Sequence, residues 1–397
     1  MDTRQTEFDD IRPYRDGELR GALDRLSSDR EFIDLILGMK LPGLQKYCSG
    51  LGHWLTRLSV RRMFSRFNTI GDFQQLVADQ MRARMKAASE ELIALGVDKL
   101  KTDQTCLFIS NHRDIAMDPA MVDLVMVNHS RETVRIAIGD NLLTKPFASD
   151  LMRINQSFIV KRSLKGRREK LAALKQLSAY IRYSICEENS SIWLAQREGR
   201  AKDGIDGTET AVLKMLALSK TREQSLGEAL AELNIVPVSI SYEYDPCDGY
   251  KAHELHVLRS EGSYDKDEHE DLRSIYSGIM GYKGQVFVAF GKPLPSGLET
   301  AEEVAEAIDQ QIIGNYQLQA NHFIAYELQH GSDAQVEQLK LAIDVDWTVK
   351  SDIFRQRLAA IPEAEQDIFI AMYANPVAQR LQQMCVEEPG ERQRSIA

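Results

Sequence analysis

At 397 residues, 43% of them hydrophobic and 27% charged, the chain is long enough for one large domain or two, each with an ample core. A formal net charge of −10 disfavours general nucleic-acid binding. The five cysteines, at positions 48, 106, 186, 247 and 385, form no CxxC pair and no zinc-ligand spacing, so a reducing compartment is expected rather than a disulfide framework.

The amino terminus has no apolar segment behind its charges, so no secretory signal is expected, and no run of about 18 apolar residues suggests a transmembrane helix. Residues 1–100 read as a helical region. "GELRGALDRLSSDREFIDLILGM" and "DFQQLVADQMRARMKAASEELIALGV" carry apolar residues at i, i+3, i+4 spacing, and Gly38, Pro42, Gly43, Gly50 and Gly52 are expected to break the stretch between them. From Leu35 to Ile70 there is no acidic residue, while Lys40, Lys46, Arg57, Arg61, Arg62 and Arg66 supply positive charge among Trp54, Leu55, Leu58, Met63 and Phe64. A basic amphipathic helix of this composition suits an anionic membrane surface. It equally suits a bundle helix with a solvated basic face.

From residue 101 to 296 short apolar runs alternate with helical stretches. "TCLFIS", "TVRIAIG", "SFIVKR", "SSIWLAQ", "IVPVSISYEY", "ELHVLRS" and "QVFVAFGKPL" read as strands, separated by helices such as "AMVDLVMVNH" and "RREKLAALKQLSAYIRYSICEE". This alternation predicts an α/β fold, a mostly parallel sheet flanked by helices. Residues 297–397 return to helical pattern and end in a polar tail that is expected to fray.

Chemistry concentrates after "LFIS". His112 follows the end of a strand, where α/β sheets place their sites. His112-Arg113-Asp114 also spells the opening of a kinase catalytic loop. That loop requires an asparagine five residues after the aspartate, and Pro119 stands there. There is no P-loop, and no GxSxG nucleophile elbow. A metal site on His112, Asp114 and Asp118 needs further ligands from elsewhere in the chain. Asp118 before Pro119 reads as the N-cap of the next helix, which lets the loop fold the carboxylate beneath the imidazole. A carboxylate on one ring nitrogen fixes the tautomer and makes the other nitrogen a base. A plain helix cap beside a surface histidine fits the same residues. The positive residues that follow strands, Lys161, Arg162, Arg197, Arg200 and Lys202, suit a phosphate-bearing ligand, and Gly199 lets backbone N–H groups approach it. "KRSLKGRREK", Lys161 to Lys170, forms a second positive cluster.

"SNHRDIAMDPA", "SFIVKRS", "IWLAQREGRAKDG" and "IVPVSISYEY" resemble, in order and rough spacing, the four sequence blocks of the glycerophospholipid acyltransferase superfamily, and "VFVAFGKPL" resembles its last strand. The similarity spans Lys101 to Pro295. It has two departures: five residues instead of four separate His112 from Asp118, and Glu198-Gly199-Arg200 lacks the residue usual between Gly and Arg. The first leaves Asp114 as the fallback partner of His112, and together they mark a divergent member.

The resemblance implies transfer of an acyl group from acyl-CoA or acyl-carrier protein to a glycerophosphate-type acceptor, 1-acyl-sn-glycerol-3-phosphate ahead of glycerol-3-phosphate. His112 and Asp118 are then the catalytic pair. Asn111, Arg113, Lys161, Arg162, Arg197, Glu198, Gly199, Arg200 and Lys202 are the expected substrate-binding set, within which the resemblance nominates Glu198 and Arg200 for the glycerophosphate acceptor. No cofactor and no metal is implied. The expected setting is the cytoplasmic face of a membrane, held peripherally. The competing expectation is a non-catalytic lipid-binding protein on the same fold.

Overall fold

The computed structural model of the chain describes residues 6–40, 49–267 and 269–394. Helices α1 (Asp16–Ser28), α2 (Arg30–Lys40), α3 (Ser49–Phe64) and α4 (Ile70–Ala88) lead into strand β1 (Glu91–Leu95). Next come β2 (Leu107–Ser110), α5 (Met117–Asn128), β3 (Arg135–Gly139), α6 (Pro146–Ile154), β4 (Ser157–Val160), α7 (Arg167–Cys186), β5 (Ile192–Ala195) and β6 (Ile235–Tyr242). Helices α8 (Asp248–Glu261) and α9 (Glu270–Met280) precede β7 (Gln285–Phe290). The chain then stays helical through α10 (Ala301–Asn315), α11 (Ala320–His330), α12 (Trp347–Ala359) and α13 (Gln366–Arg394).

The seven strands form one sheet in the order β1-β7-β6-β2-β5-β3-β4. β2 to β6 all run in parallel, whereas β7 is antiparallel to β6 and β1 follows β7. Helices cover both faces. The pleat sends Phe108 into a core shared with α4 and α5, and sends Leu107 and Ile109 into the opposite core under α7 and α10. Parallel strands buried on both faces read as unbroken apolar runs, which is why "LFIS" and "IVPVSISY" were legible as strands. The segment before α1 runs along the outer edge of β4, where Ile159 N donates to Ile11 O at 2.9 Å.

Several expectations are corrected. "EELIAL" does not extend α4. The helix stops at Ala88, and Glu91–Leu95 pairs with β7, because a strand partner far along the chain outweighs local helical spacing. "ELHVLRS" is the second half of α8 rather than a strand; Lys251, Ala252 and Glu254 on the inner side of that helix are buried. Gly50 and Gly52 do not interrupt the backbone but lie inside α3, where Gly52 is buried, so packing overrides a propensity cost of about 1 kcal/mol per glycine. Pro42, Gly43, Lys46 and Cys48 lie outside the described residues. The polar tail stays helical as far as Arg394.

Candidate active site

β2 ends at Ser110, and the loop 111–116 turns back toward the sheet before α5 begins. Asn111 anchors the start of this loop. Its side chain accepts from Ile240 N at 2.8 Å and donates to Ile240 O at 3.0 Å, pairing with the backbone of β6 like an extra peptide. His112 Nδ1 lies 2.7 Å from Asp118 Oδ2. The same oxygen accepts from the backbone N–H of Arg113 at 2.6 Å and of Asp114 at 2.9 Å, and Oδ1 accepts from the Tyr242 hydroxyl at 2.8 Å.

Asp118 is therefore not the helix cap. Asp114 caps α5 instead, its Oδ1 accepting from Ala116 N at 3.0 Å and Met117 N at 2.9 Å. The helix starts at Met117, one residue before Asp118, whose carboxylate is wrapped by the loop. Asp114, the fallback partner, faces the helix start and not the imidazole.

Burial opposes charge on Asp118, but the bonds from His112, the Asp114 amide and Tyr242 outweigh it and hold its carboxyl below the usual range. Burial and then the charge of Asp118 push Asp114 up to about 6. Burial, with Asp118 and Asp114 nearby, drives the Tyr242 phenol well above its ordinary value, so it stays a donor. An ionised acceptor at Nδ1 assigns the proton to that nitrogen and leaves the lone pair on Nε2. The Trp193 ring meets the imidazole edge-on with centroids 5.7 Å apart, and its Nε1 donates to Ser110 Oγ at 3.0 Å.

The loop after β5 is tied to this one: Gln196 N donates to Ser110 O and Ala201 N to His112 O, both at 2.8 Å. Gly199 takes φ +76° at the turn, with open space where a Cβ would stand. Arg197 donates to Arg200 O at 3.4 Å, while its Nε is buried with no hydrogen-bond partner among the described residues. Arg200 forms no ion pair among the described residues. Arg162 lies across Gly139 at the end of β3 and meets Glu198 at 3.5 Å, both side chains being exposed.

Other members of the expected binding set are already committed. Arg113 is buried and forms a fork on Asp206, with both bonds 2.7 Å. Lys161 pairs with Asp10 and donates to Gln176 at 3.2 Å. Lys202 pairs with Glu254, and burial lowers its pKa. Like Asn111, these side chains are engaged within the fold. No group of three or more His, Cys, Asp or Glu among the described residues is arranged to hold a metal ion.

A family model described as "Acyltransferase" matches residues 93–241. Over that segment the chain is similar to the acyltransferase family. No curated protein matches the chain. Among solved structures, the 1-acyl-sn-glycerophosphate (LPA) acyltransferase PlsC from Thermotoga maritima matches with 14% identity and a TM-score of 0.36, covering 72% of this chain and 95% of that one. A likeness of that size carries no argument about substrate.

The acyltransferase match takes in His112, Asp118 and the loop after β5, and stops at Ser241. Two residues that shape its centre escaped sequence reasoning. Tyr242 shares a face with Val238 and Ile240 by the period of two, but only the fold shows that α5 brings Asp118 under its hydroxyl. Asp206, buried in the loop after β5, carries no motif that distinguishes it from the half-buried Asp203 nearby.

Proposed function

We propose that the acyltransferase moves a fatty acyl group from a thioester, acyl-CoA or acyl-carrier protein, to the hydroxyl of a glycerophosphate-type acceptor. 1-Acyl-sn-glycerol-3-phosphate is the favoured acceptor and glycerol-3-phosphate the next. The observation that carries this reading is the His112 Nδ1–Asp118 Oδ2 contact of 2.7 Å, which leaves the other ring nitrogen, Nε2, as the base. Nε2 takes the acceptor proton as its oxygen bonds to the thioester carbon. The tetrahedral oxyanion collapses, the C–S bond breaks, and the imidazolium returns the proton to the departing thiolate. Asp118 holds the tautomer and balances the imidazolium charge. No covalent enzyme intermediate is needed.

Arg162, Arg197 and Arg200 bind the acceptor phosphate, with Gly199 giving the loop its turn. The partner-free Nε of Arg197 supports this role, because a buried donor without an acceptor is costly unless a ligand fills it. Glu198 orients Arg162 through their contact. We place the protein peripherally on the cytoplasmic face of a membrane. The described residues contain no helix long and apolar enough to span one, and α3 exposes Leu51, Trp54, Leu55 and Leu58 beside its arginines.

The test is acylation by purified protein given donor and either acceptor. His112→Ala is expected to lower kcat by about 10²- to 10⁴-fold, and Asp118→Asn by a similar order. If wild type acylates neither acceptor, or if His112→Ala leaves the rate intact, the mechanism is wrong. Acceptor binding without turnover would select the lipid-binding alternative.

A further inference from the structure

The carboxyl-terminal helices lie beyond the acyltransferase match, yet they grip the loop that carries Arg197 and Arg200. Three contacts from α13 fall on that loop within four residues. Gln379 Oε1 accepts from Asp206 N at 2.8 Å while its Nε2 donates to Asp206 O at 2.7 Å, which satisfies both backbone groups of one residue. Asn375 Nδ2 donates to Asp203 O at 2.8 Å. Gly204, at φ +77°, presses so close that a Cβ would stand 2.1 Å from Met372 O. From α10, Asp309 accepts from Thr208 N at 2.9 Å and from its hydroxyl at 2.6 Å.

The residue held this way is also the one that holds the histidine loop. The Asp206 carboxylate takes the fork of Arg113, at 2.7 Å twice, and accepts from Asn111 Nδ2 at 3.3 Å. Those are the two neighbours of His112 in sequence. Ala201 N, on the same loop, binds the carbonyl of His112 itself. A side chain on α13 thus reaches the base through one buried carboxylate, and reaches Arg197 and Arg200 through one short stretch of backbone.

We propose that Gln379 and Asp206 are positioning residues: α13 sets the geometry of the phosphate-binding loop relative to His112, so the carboxyl-terminal helices are part of the acceptor site rather than an appended region. This rests on the acceptor reading above for what the loop binds. The cause is pre-organisation. Arg197 and Arg200 sit on a turn built around a φ-positive glycine, and a turn held from outside meets a phosphate without first having to order itself.

The full-length protein with Gln379→Ala tests this. KM for the phosphorylated acceptor is expected to rise about three- to tenfold, the loss of one or two ordinary hydrogen bonds, with kcat and the KM of the thioester nearly unchanged. Gln379→Glu, which keeps the acceptor for Asp206 N, should fall between the two. A role in stability alone would lower Tm and the active fraction while leaving the acceptor KM where it was, and that result overturns the proposal. Amide hydrogen exchange provides an arm that does not depend on acceptor identity. In Gln379→Ala the Ala201 amide should lose protection together with that of Asp206. Should wild type acylate neither glycerophosphate, the acceptor reading falls and exchange decides: loss at Asp206 without loss at Ala201 refutes a link to His112.

Discussion

Asp114, in the loop, and Asp118, in the first turn of α5, are two buried carboxyls whose environments push them in opposite directions. Asp118 gathers four donors and stays ionised, so its contribution to stability is present above the ordinary carboxylate range and is lost as pH falls below it. Asp114 accepts two amides but faces the charge of Asp118, and its pKa rises from 3.8 to about 6. Between those values the folded protein binds more protons at Asp114 than the unfolded chain does, so stability falls as pH rises through that window. Asparagine keeps the oxygen that caps α5 and cannot ionise. Asp114→Asn is therefore expected to raise Tm at pH 7.5 and to flatten the dependence of Tm on pH between about 4 and 6, measured by thermal unfolding across that range. A parallel shift of the whole curve would show that the buried charge is not the cause. Sequence alone left the choice between these two aspartates open, because spacing counts residues and not the direction in which a loop turns.

At the level of elements, the loop after β5 shows how much of a site is hidden from pattern. Glycines 199 and 204 look alike in sequence, and both take a left-handed backbone. Only Gly204 meets α13. Gly204→Ala therefore faces two penalties, an unfavourable φ and a carbonyl in the way, and is expected to cost at least about 2 kcal/mol in urea unfolding. Gly199→Ala meets nothing within 4 Å and should cost about 1 kcal/mol, the backbone term alone. Equal costs would mean that α13 yields to the added methyl. The strands that bring the motifs together were readable one by one, because each is short, apolar and bounded by turns. β1 and α8 were not: their partners, β7 and α13, lie far along the chain, and tertiary pairing overruled local period.

Across the whole molecule, side-chain contacts tie α3 to α1 and to the start of α2. The contact of Glu31 with Lys145 at 3.0 Å sets the start of α2 beside the start of α6, at the carboxyl end of the parallel strands. α3 runs back along α1, since Arg20 donates to Phe67 O at 2.9 Å while Arg61 reaches Ser28 Oγ at 3.4 Å. The earlier turns of α3 expose Trp54 at 59% and Leu58 at 54%, and His112 follows the carboxyl end of β2. The first turns of α7, with Leu171 and Leu174 exposed among Arg167, Arg168, Lys170 and Lys175, start from that same end. On the proposed membrane setting, sedimentation with anionic vesicles should weaken by at least about tenfold in Arg61→Glu/Arg62→Glu. It should weaken likewise in Trp54→Ser/Leu58→Ser, which removes apolar surface without changing charge. Unchanged binding in both would remove α3 from any membrane contact.

The amino-acid sequence by itself determined the α/β class, the position of His112 at a strand end, the basic character of the strand-end loops and the resemblance that named a family. These are properties of short windows, set by apolar period, turn chemistry and residue type. Tertiary structure decided the rest: which aspartate faces the imidazole, that Tyr242 completes its shell, which basic side chains are already paired within the fold, and that α13 grips the loop after β5. Each of those is a contact between segments distant along the chain, and chain order does not encode which side chains burial will force to pair.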